Sequence, residues 1–488
     1  MKRLLIGGLG VAAAIMTGCA VGPTYTRPPA PLTPEFKETP PVSFKETDGW
    51  KTAQPNDTEI RGAWWELFED PQLNALEAQI DDANQTLKQA EANFQAARSA
   101  IGVSRAARAP SISAGPAASA VRDSANQPYF NQSAANAGTG SFSLPFDLNY
   151  EVDLWGRVRR TITSAVEQAQ ASASDRETAR LSLHAELAMD YFDLRNDDAQ
   201  DRLLAQTEKA YQQALQLTQD RYEGGASPES DVTQARTQLL SAQVARTDIG
   251  VQRAASEHAI AVLIGKPPAA LTIQPVPLTV RTPVLPSIPG ALPSQLLERR
   301  PDIASAERRM ASANEQIGIA KAAFYPTLSI SAIGGFLGTS PLNWITWPSR
   351  LWAVGPGMSQ TLFDHGLRRS NLAIAQSDYD ATVAAYRQSA LTAFQQVEDN
   401  LAALRDLETE AKQQRQATES AENSLGLFQT RYEGGVDTYL QVVTWQTAAL
   451  QNQRNEIDIM RRRLEADVLL IKALGGGWDT KQLPKLTS

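Results

Sequence analysis

The sequence is poor in the residues from which metal centres and catalytic Cys/His sites are built. Its 488 residues include one cysteine and three histidines, with neither a CxxC pair nor an HExxH motif. A GxSxG elbow and a Walker loop are also missing from it. These absences predict no metal site, no cofactor and no enzymatic activity.

Basic residues are outnumbered by acidic ones. The chain has 46 lysines and arginines against 54 aspartates and glutamates, a formal net charge of −8. Surfaces that bind nucleic acid need an excess of positive charge, because they neutralise phosphates. The acidic balance therefore argues against a nucleic-acid partner.

Long apolar runs are lacking except at the start of the chain. Residues 4–16 follow two cations and fall short of the roughly 20 residues of a membrane-spanning helix, so they predict a secretory leader over residues 1–18. The stretch TGCA resembles the bacterial lipobox, which implies that Cys19 carries a covalent lipid; an ordinary leader with an incidental cysteine is the alternative. By similarity to lipoprotein sorting, Ala20 favours the outer membrane. The proline-rich residues 19–60 are then expected to form a lipid-anchored, extended segment.

Several patterns occur twice in the chain. The pentapeptide RYEGG stands at residues 221–225 and 431–435, and identities continue at the same step of 210 to Gly265 and Gly475. Internal repetition of this kind predicts repeated structural units. We expect two repeats, a linker between them and a C-terminal tail, at residues 61–265, 292–475, 266–291 and 476–488.

Glycine and proline are absent from residues 157–223, and residues 367–433 contain only Gly426. Each segment predicts one helix of about 100 Å. Apolar residues recur at three- and four-residue spacing, as at Leu183 and Leu187, so each helix has a seam for a partner helix. Shorter helices are predicted at about 72–106, 228–264, 294–322 and 438–474.

The RYEGG motif stands where each long helix is expected to end. Glycines just past a helix end allow the left-handed conformation that closes it, and the chain can then return antiparallel. Each copy therefore predicts the tip of a helical hairpin. Two plain helix-ending turns would account for the glycines alone, whereas the identical Arg, Tyr and Glu favour a shared role for the tips.

Between the predicted helices, the apolar residues change from three- and four-residue spacing to every second position. In residues 141–154, SFSLPFDLNYEVDL, every second residue is apolar, as in a strand with one apolar face. Further strands are predicted at about 110–121, 327–337 and 351–363. Such a face suits a packed sandwich or the lipid side of an outer-membrane barrel, and the leader and lipid anchor favour the barrel. Four strands cannot close a barrel, and open edges in lipid are costly, so several chains would have to build it.

The ordered motifs WWELFEDPQLNAL, LERRPDI, the two RYEGG copies and KALGGGW resemble the lipoprotein outer-membrane factors of tripartite efflux pumps, the TolC-like or NodT group. This resemblance implies a mainly helical fold with a transmembrane β part. Three identical chains would form a 12-stranded barrel in the outer-membrane lipid and a helical-hairpin tunnel in the periplasm. It further implies a periplasmic adaptor and an inner-membrane pump as partners, with passive conduction by the channel itself.

The resemblance also implies roles for the hairpin tips. In that family the tips dock the adaptor, which here assigns Arg221, Tyr222, Glu223, Gly224, Gly225, Arg431, Glu433, Gly434 and Gly435. Residues beside the tips close the periplasmic mouth, which assigns Ser230, Asp231, Tyr432, Asp437, Leu440, Gln441 and Thr444. Asp231 and Tyr432 resemble residues that link neighbouring hairpins, although a first-turn carboxylate at a helix N-terminus would also account for Asp231. The chain departs from the family pattern at Gln441 and Thr444, where relatives often have carboxylates.

Two other protein classes share some of these features. A lipid-anchored periplasmic adaptor also has helical hairpins, but adaptors normally have one hairpin flanked by β-rich domains. A lipid-anchored hydrolase would need a catalytic motif. The two helix-strand-strand-helix units favour the channel over both.

Overall fold

A computed structural model describes residues 20–31, 36–38, 62–122, 124, 139–278, 298–478 and 483–486. The expected leader and Cys19 lie outside the described residues. So do residues 32–35 and 39–60 of the expected extended segment, 279–291 of the expected linker, 292–297 of the expected second repeat, and 479–482 and 487–488 of the expected tail. The described helices are α1 (Pro71–Glu77), α2 (Ile80–Ala83), α3 (Gln85–Ala106), α4 (Arg157–Glu223), α5 (Glu229–Leu263), α6 (Pro301–Ala322), α7 (Leu367–Glu433) and α8 (Tyr439–Ala473). The described strands are β1 (Ser111–Ala114), β2 (Ala117–Val121), β3 (Thr139–Val152), β4 (Thr327–Gly338) and β5 (Arg350–Ser359).

The two long helices, α4 and α7, have the bounds that the sequence predicts, and each has 67 residues. A glycine in the left-handed conformation precedes each of them, Gly156 with φ +79° and Gly366 with φ +89°. This conformation lets the chain turn sharply from the sheet into the helix, and it favours glycine because a Cβ would clash there. The structure is mainly helical with an antiparallel sheet, as predicted.

The expected helix over 72–106 is wrong as a single element, because the chain is broken there into α1, α2 and α3. Asn84 causes the second break: its backbone is extended, with ψ 126°, and its side chain accepts a hydrogen bond from the N–H of Leu87. Capping of this kind starts a new helix. The expected helix over 294–322 is likewise interrupted: residues 298–299 are helical, Arg300 is extended, and α6 begins at Pro301, because the residue before a proline disfavours the helical conformation.

The helices pack side by side. α4 packs against α3, α5, α6 and α8, while α7 packs against α6 and α8. The largest core surrounds the middle of α4, where Leu187 of the predicted seam is fully buried together with Tyr191 and Leu194. Because α8 contacts α4, the last helix of the second half is packed onto the long helix of the first.

The five described strands form one antiparallel sheet in which β3 pairs with β4 and β4 with β5. The expected strand over 110–121 is interrupted, and both of its parts, β1 and β2, pair with β3. The interruption falls at Gly115 and Pro116, because proline has no N–H to donate to a ladder. The expected strand over 351–363 ends earlier, at Ser359. Pairing of β3 with β4 joins the two halves of the chain.

Residues that lie opposite one another on neighbouring strands form rows, and the residues of one row are similar in polarity. One such row joins Ile112, Leu148, Ala332 and Val354, and the next row of the same face joins Tyr150, Ile330 and Pro356. The other face holds rows of small and polar residues, such as Ser111, Asn149, Ser331 and Gly355. One face of the sheet is therefore mostly apolar, and the other is mostly small and polar, with Ile333, Leu337 and Leu351 as exceptions.

The described part of the N-terminal segment has no helix or strand and lies against both halves of the chain. The N–H of Val21 donates to the carbonyl of Trp155 (3.1 Å), and Arg27 Nε donates to the hydroxyl of Tyr386 on α7 (3.1 Å). Further along, the backbone N–H groups of Lys37 and Glu38 donate to the carboxylate of Glu398 (2.7 and 2.8 Å). The segment thus runs from the end of the sheet along α7.

Candidate functional site: the hairpin tips

The two RYEGG motifs form the same turn. Beyond α4, the N–H of Ala226 donates to the carbonyl of Arg221 (2.7 Å), and beyond α7 the N–H of Val436 donates to the carbonyl of Arg431 (2.9 Å). The second glycine of each motif has a positive φ, +70° and +73°. This pattern closes a helix through a left-handed glycine. The helices α5 and α8 then return alongside α4 and α7.

The two tips differ in what their arginines contact. Arg431 pairs with Asp437 of its own tip. At the position equivalent to Asp437 the first tip has Ser227, which offers no carboxylate. Arg221 instead reaches the second tip, where Nη1 donates to the backbone carbonyls of Tyr432 (3.0 Å) and Glu433 (3.4 Å). Arg221 is thus a link between the two hairpins of one chain.

The tyrosines of the two motif copies, Tyr222 and Tyr432, differ in how much of the side chain is exposed. Tyr432 is only 4% exposed, whereas Tyr222 is 46% exposed. The guanidinium of Arg221 lies 4.7 Å from the ring centroid of Tyr432, a cation–π geometry. Tyr432 also packs against Tyr439, with ring centroids 5.3 Å apart. Tyr432 is therefore enclosed between the two hairpins.

The residues predicted to close the mouth lie at the end of α7, in the second tip turn and at the starts of α5 and α8. Ser230 and Asp231 are neighbours, with Ser230 Oγ 3.5 Å from the Asp231 carboxylate. Partial burial raises the pKa of Asp231, against the opposing effects of Ser230 and Arg221. In the second half Leu440 is 55% exposed, and Thr444 Oγ1 donates to the Leu440 carbonyl (2.8 Å). Gln441 is half-buried.

Between the two tips, Arg221 donates a hydrogen bond, and none is described across the tips for the Asp231 side chain. The hydroxyl of Tyr432 lies 3.5 Å from Ser227 Oγ, while the hydrogen bond described for the Asp231 side chain is to Ser230. Sequence reasoning did not assign this link to Arg221. The signal was present, since the two copies of the motif differ at Ser227 and Asp437.

The predicted adaptor-contact residues are mostly at the surface of the tips. Tyr222, Glu223, Gly224 and Gly225 are exposed, as are their counterparts Arg431, Glu433, Gly434 and Gly435, while Arg221 is half-buried. Their docking role stays a prediction, as do the roles of the residues predicted to close the mouth.

Known proteins match this chain over nearly its whole length. Residues 74–266 and 292–476 match the family of outer membrane efflux proteins. The chain belongs to this family. The toluene efflux pump outer membrane protein TtgF of Pseudomonas putida is 32% identical over 483 residues, 98% of either chain. The solved outer-membrane channel OprN has a TM-score of 0.84 at 26% identity and covers 94% of this chain and 100% of its own. A membrane protein from Pseudomonas aeruginosa has a TM-score of 0.84 at 31% identity, over 95% and 98% of the two chains.

The resemblance inferred from the motifs is thereby confirmed, and the family is one of outer-membrane efflux proteins rather than of enzymes. Within the described ranges, no group of three or more His, Cys, Asp or Glu residues is placed to hold a metal ion. The same ranges contain no helix that combines the length and the hydropathy needed to cross a membrane.

Proposed function

We propose that the chain is the channel subunit of an efflux system, which passively conducts small molecules from the periplasm through the outer membrane to the exterior. Membership of the efflux protein family supports this proposal. So does the sheet, because an apolar face opposite a polar face is the pattern of a strand wall between lipid and a water-filled lumen. Solvents such as toluene are candidate cargo, since a relative of 32% identity is named as part of a toluene efflux pump.

The proposed barrel consists of three copies of the chain. In the single chain β5 pairs only with β4, and β1 and β2 pair only with β3, so the described sheet has two open edges. An open edge in hydrocarbon leaves backbone N–H and C=O groups without partners, at several kcal/mol each. Counting β1 and β2 as one interrupted strand, each copy contributes four strands, and three copies make a 12-stranded barrel.

The lipid anchor at Cys19 is proposed to sit at the membrane interface. Ala20, the next residue, lies against Gly156, where a Cβ added to the glycine would be 3.1 Å from the Ala20 Cβ. Gly156 stands between β3 and α4, the point at which the proposed barrel passes into the helices. A diacylated cysteine at this level would reach the inner leaflet of the outer membrane without a long tether.

The exposed tips are proposed to receive the periplasmic adaptor that leads to the inner-membrane pump. Charge reversal by Arg221→Glu and Arg431→Glu should impair efflux while the trimer still assembles. Cysteines introduced at the tips should crosslink to the adaptor in the otherwise wild-type protein and lose these crosslinks in the double variant. Unchanged efflux in the double variant would remove this role.

The function as a whole is tested in a deletion strain. We expect deletion of the gene to raise susceptibility to antibiotics and to toluene, and wild-type protein to restore resistance. A purified trimer should also produce ion-conducting channels in planar bilayers. Unaltered susceptibility together with no conductance would overturn the proposal.

A further inference from the structure

A cavity of about 440 Å³ lies between the two hairpins, directly above the tips. Its walls come from α4 on one side and from α7 and α8 on the other. Its lining includes Tyr211, Glu422, Tyr432, Glu433, Tyr439 and Gln446. A volume of this size falls within the range of small-molecule sites, roughly 300–1,000 Å³.

The walls of the cavity are aromatic and negatively charged. Three tyrosines line it, together with two carboxylates and no lysine or arginine from the described part of the chain. Glu422 accepts a hydrogen bond from Gln453 Nε2 (2.6 Å), and Glu433 accepts one from Gln429 Nε2 (3.3 Å). Both partners are neutral amides. The guanidinium of Arg221 lies against Tyr432 and bonds to the backbone carbonyl of Glu433, but it does not line the cavity. Tyrosine faces beside carboxylates attract organic cations.

Two deeply buried side chains that line the cavity, one on each side of it, have polar atoms without a partner among the described residues. Tyr211 is 4% exposed and Gln446 is 8% exposed. Among the described residues, neither the Tyr211 hydroxyl nor the Gln446 Oε1 has a hydrogen-bond partner. Buried polar atoms are normally paired, and an unpaired one points to a group that is not present in the structure. Gln446 Oε1 can only accept a hydrogen bond, and an ammonium or amidinium N–H would donate one.

We propose that this cavity, which we call the inter-hairpin cavity, is a binding site for aromatic organic cations. The ring system would lie among Tyr211, Tyr432 and Tyr439, and the positive charge would face Glu422 and Glu433. A bound cation would contact α4, α7 and α8 together, and would therefore hold the two hairpins in the arrangement that Arg221 also stabilises. The site is defined by residues of one chain and does not depend on whether the assembled protein conducts.

The test is direct binding of rhodamine 6G, an aromatic monocation, to the full-length protein purified in detergent. Fluorescence anisotropy should show saturable binding, and fluorescein, an anion of similar size, should not bind. Replacing both wall carboxylates, Glu422→Gln with Glu433→Gln, should weaken binding by about fivefold, since ion pairs at partly exposed sites are modest. Filling the cavity by Ala214→Trp, at a position that lines it on α4, should abolish binding.

The matched control removes the same number of charges outside the cavity. Glu223 is the repeat counterpart of Glu433, and Glu419 lies on the same helix as Glu422; both are exposed, and neither lines the cavity. The variant Glu223→Gln with Glu419→Gln should bind as wild type does. Equal weakening in the control and cavity variants, or wild-type binding in Ala214→Trp, would overturn the proposal. If Ala214→Trp loses its helical circular dichroism, the two carboxylate variants still decide the outcome.

Discussion

At the scale of single residues, the two tips show how one substitution changes the partner of a repeated side chain. Arg431 is held within its own tip by Asp437, whereas Arg221 has Ser227 at the equivalent position and binds the opposite hairpin. The hydrogen bond and the cation–π contact of Arg221 together contribute roughly 1–3 kcal/mol. A free energy of that size corresponds to roughly a 5- to 150-fold change in an equilibrium constant.

We therefore expect Arg221→Ala to raise single-channel conductance or the open probability of the channel, because the tie to Tyr432 is lost. The matched control is Arg431→Ala, the same substitution at the repeated position, which removes only a bond within one tip and should have a smaller effect. Recordings in planar lipid bilayers measure both. Equal effects of the two variants would contradict the assigned link.

At the scale of elements, the β3–β4 pairing depends on close approach at one glycine. A Cβ at Gly335 would lie 2.1 Å from the carbonyl oxygen of Leu144 on the paired strand, whereas at Gly334 nothing lies within 4 Å. A backbone atom cannot move aside as the end of a flexible side chain can. Position 335 therefore requires glycine for steric reasons, and position 334 does not.

Gly335→Ala should destabilise the sheet by roughly 1–3 kcal/mol, the usual cost of overpacking. We expect less folded protein in the outer-membrane fraction and a lower thermal midpoint. Gly334→Ala, one residue away in the same strand, is the control and should leave both quantities near wild type. Equal behaviour of the two variants would contradict the steric account.

The seam between α4 and α8 is rich in carboxylates. Arg461 Nη1 binds Asp193 (3.0 Å) and Nη2 binds Asp458 (2.9 Å). Burial, reinforced by Glu186 and Asp193, raises the pKa of Asp190 to about 6, and burial likewise raises the pKa of Asp197 to about 6. Each carboxyl binds its proton more tightly in the folded protein than in the unfolded chain.

The raised pKa values of Asp190 and Asp197 determine whether the stability of the fold rises or falls with pH. The stabilising contribution of protonated Asp190 and Asp197 is complete below about pH 4 and is lost as the pH rises through about 6. Between pH 4 and pH 8, the thermal midpoint of wild type should thus fall relative to that of Asp190→Asn with Asp197→Asn. The exposed pair Asp378→Asn with Asp399→Asn is the control and should follow wild type. Parallel curves for all three proteins would refute this account.

At the scale of the whole molecule, the apolar face of the sheet requires an environment that the single chain does not provide. Trp352 is 80% exposed, Met358 is 70% exposed and Val354 is 65% exposed, and all three alternate along β5. Large apolar side chains in such a contiguous row are unusual on a surface that faces water. The proposed trimeric barrel puts this face against lipid.

Val354→Lys should reduce insertion into the outer membrane, because a lysine on the lipid face near the membrane midplane costs roughly 2–4 kcal/mol. Ala353→Lys, on the opposite polar face of the same strand, is the control and should insert normally. The amount of heat-resistant trimer in outer-membrane fractions measures both. Normal insertion of the Val354 variant would argue against a lipid-facing surface.

Much of the fold could be predicted because its signals are local. The bounds of α4 and α7 follow from a long segment almost without glycine or proline, and the two tips follow from glycines that close helices. The predictions were wrong where a single side chain overrides the pattern. Asn84 caps a new helix within an otherwise periodic stretch, and Pro116 interrupts a strand.

The sequence by itself determined where the long helices lie, where they turn back, and which face of β3 is apolar, because these properties depend on residues a few positions apart. Only the tertiary structure decided that Arg221 binds Tyr432, that the N-terminal segment lies along α7, and that a tyrosine-lined cavity remains between the hairpins. Those contacts join residues hundreds of positions apart. They arise from how whole helices pack, and the local periodicity of a chain carries no record of that packing.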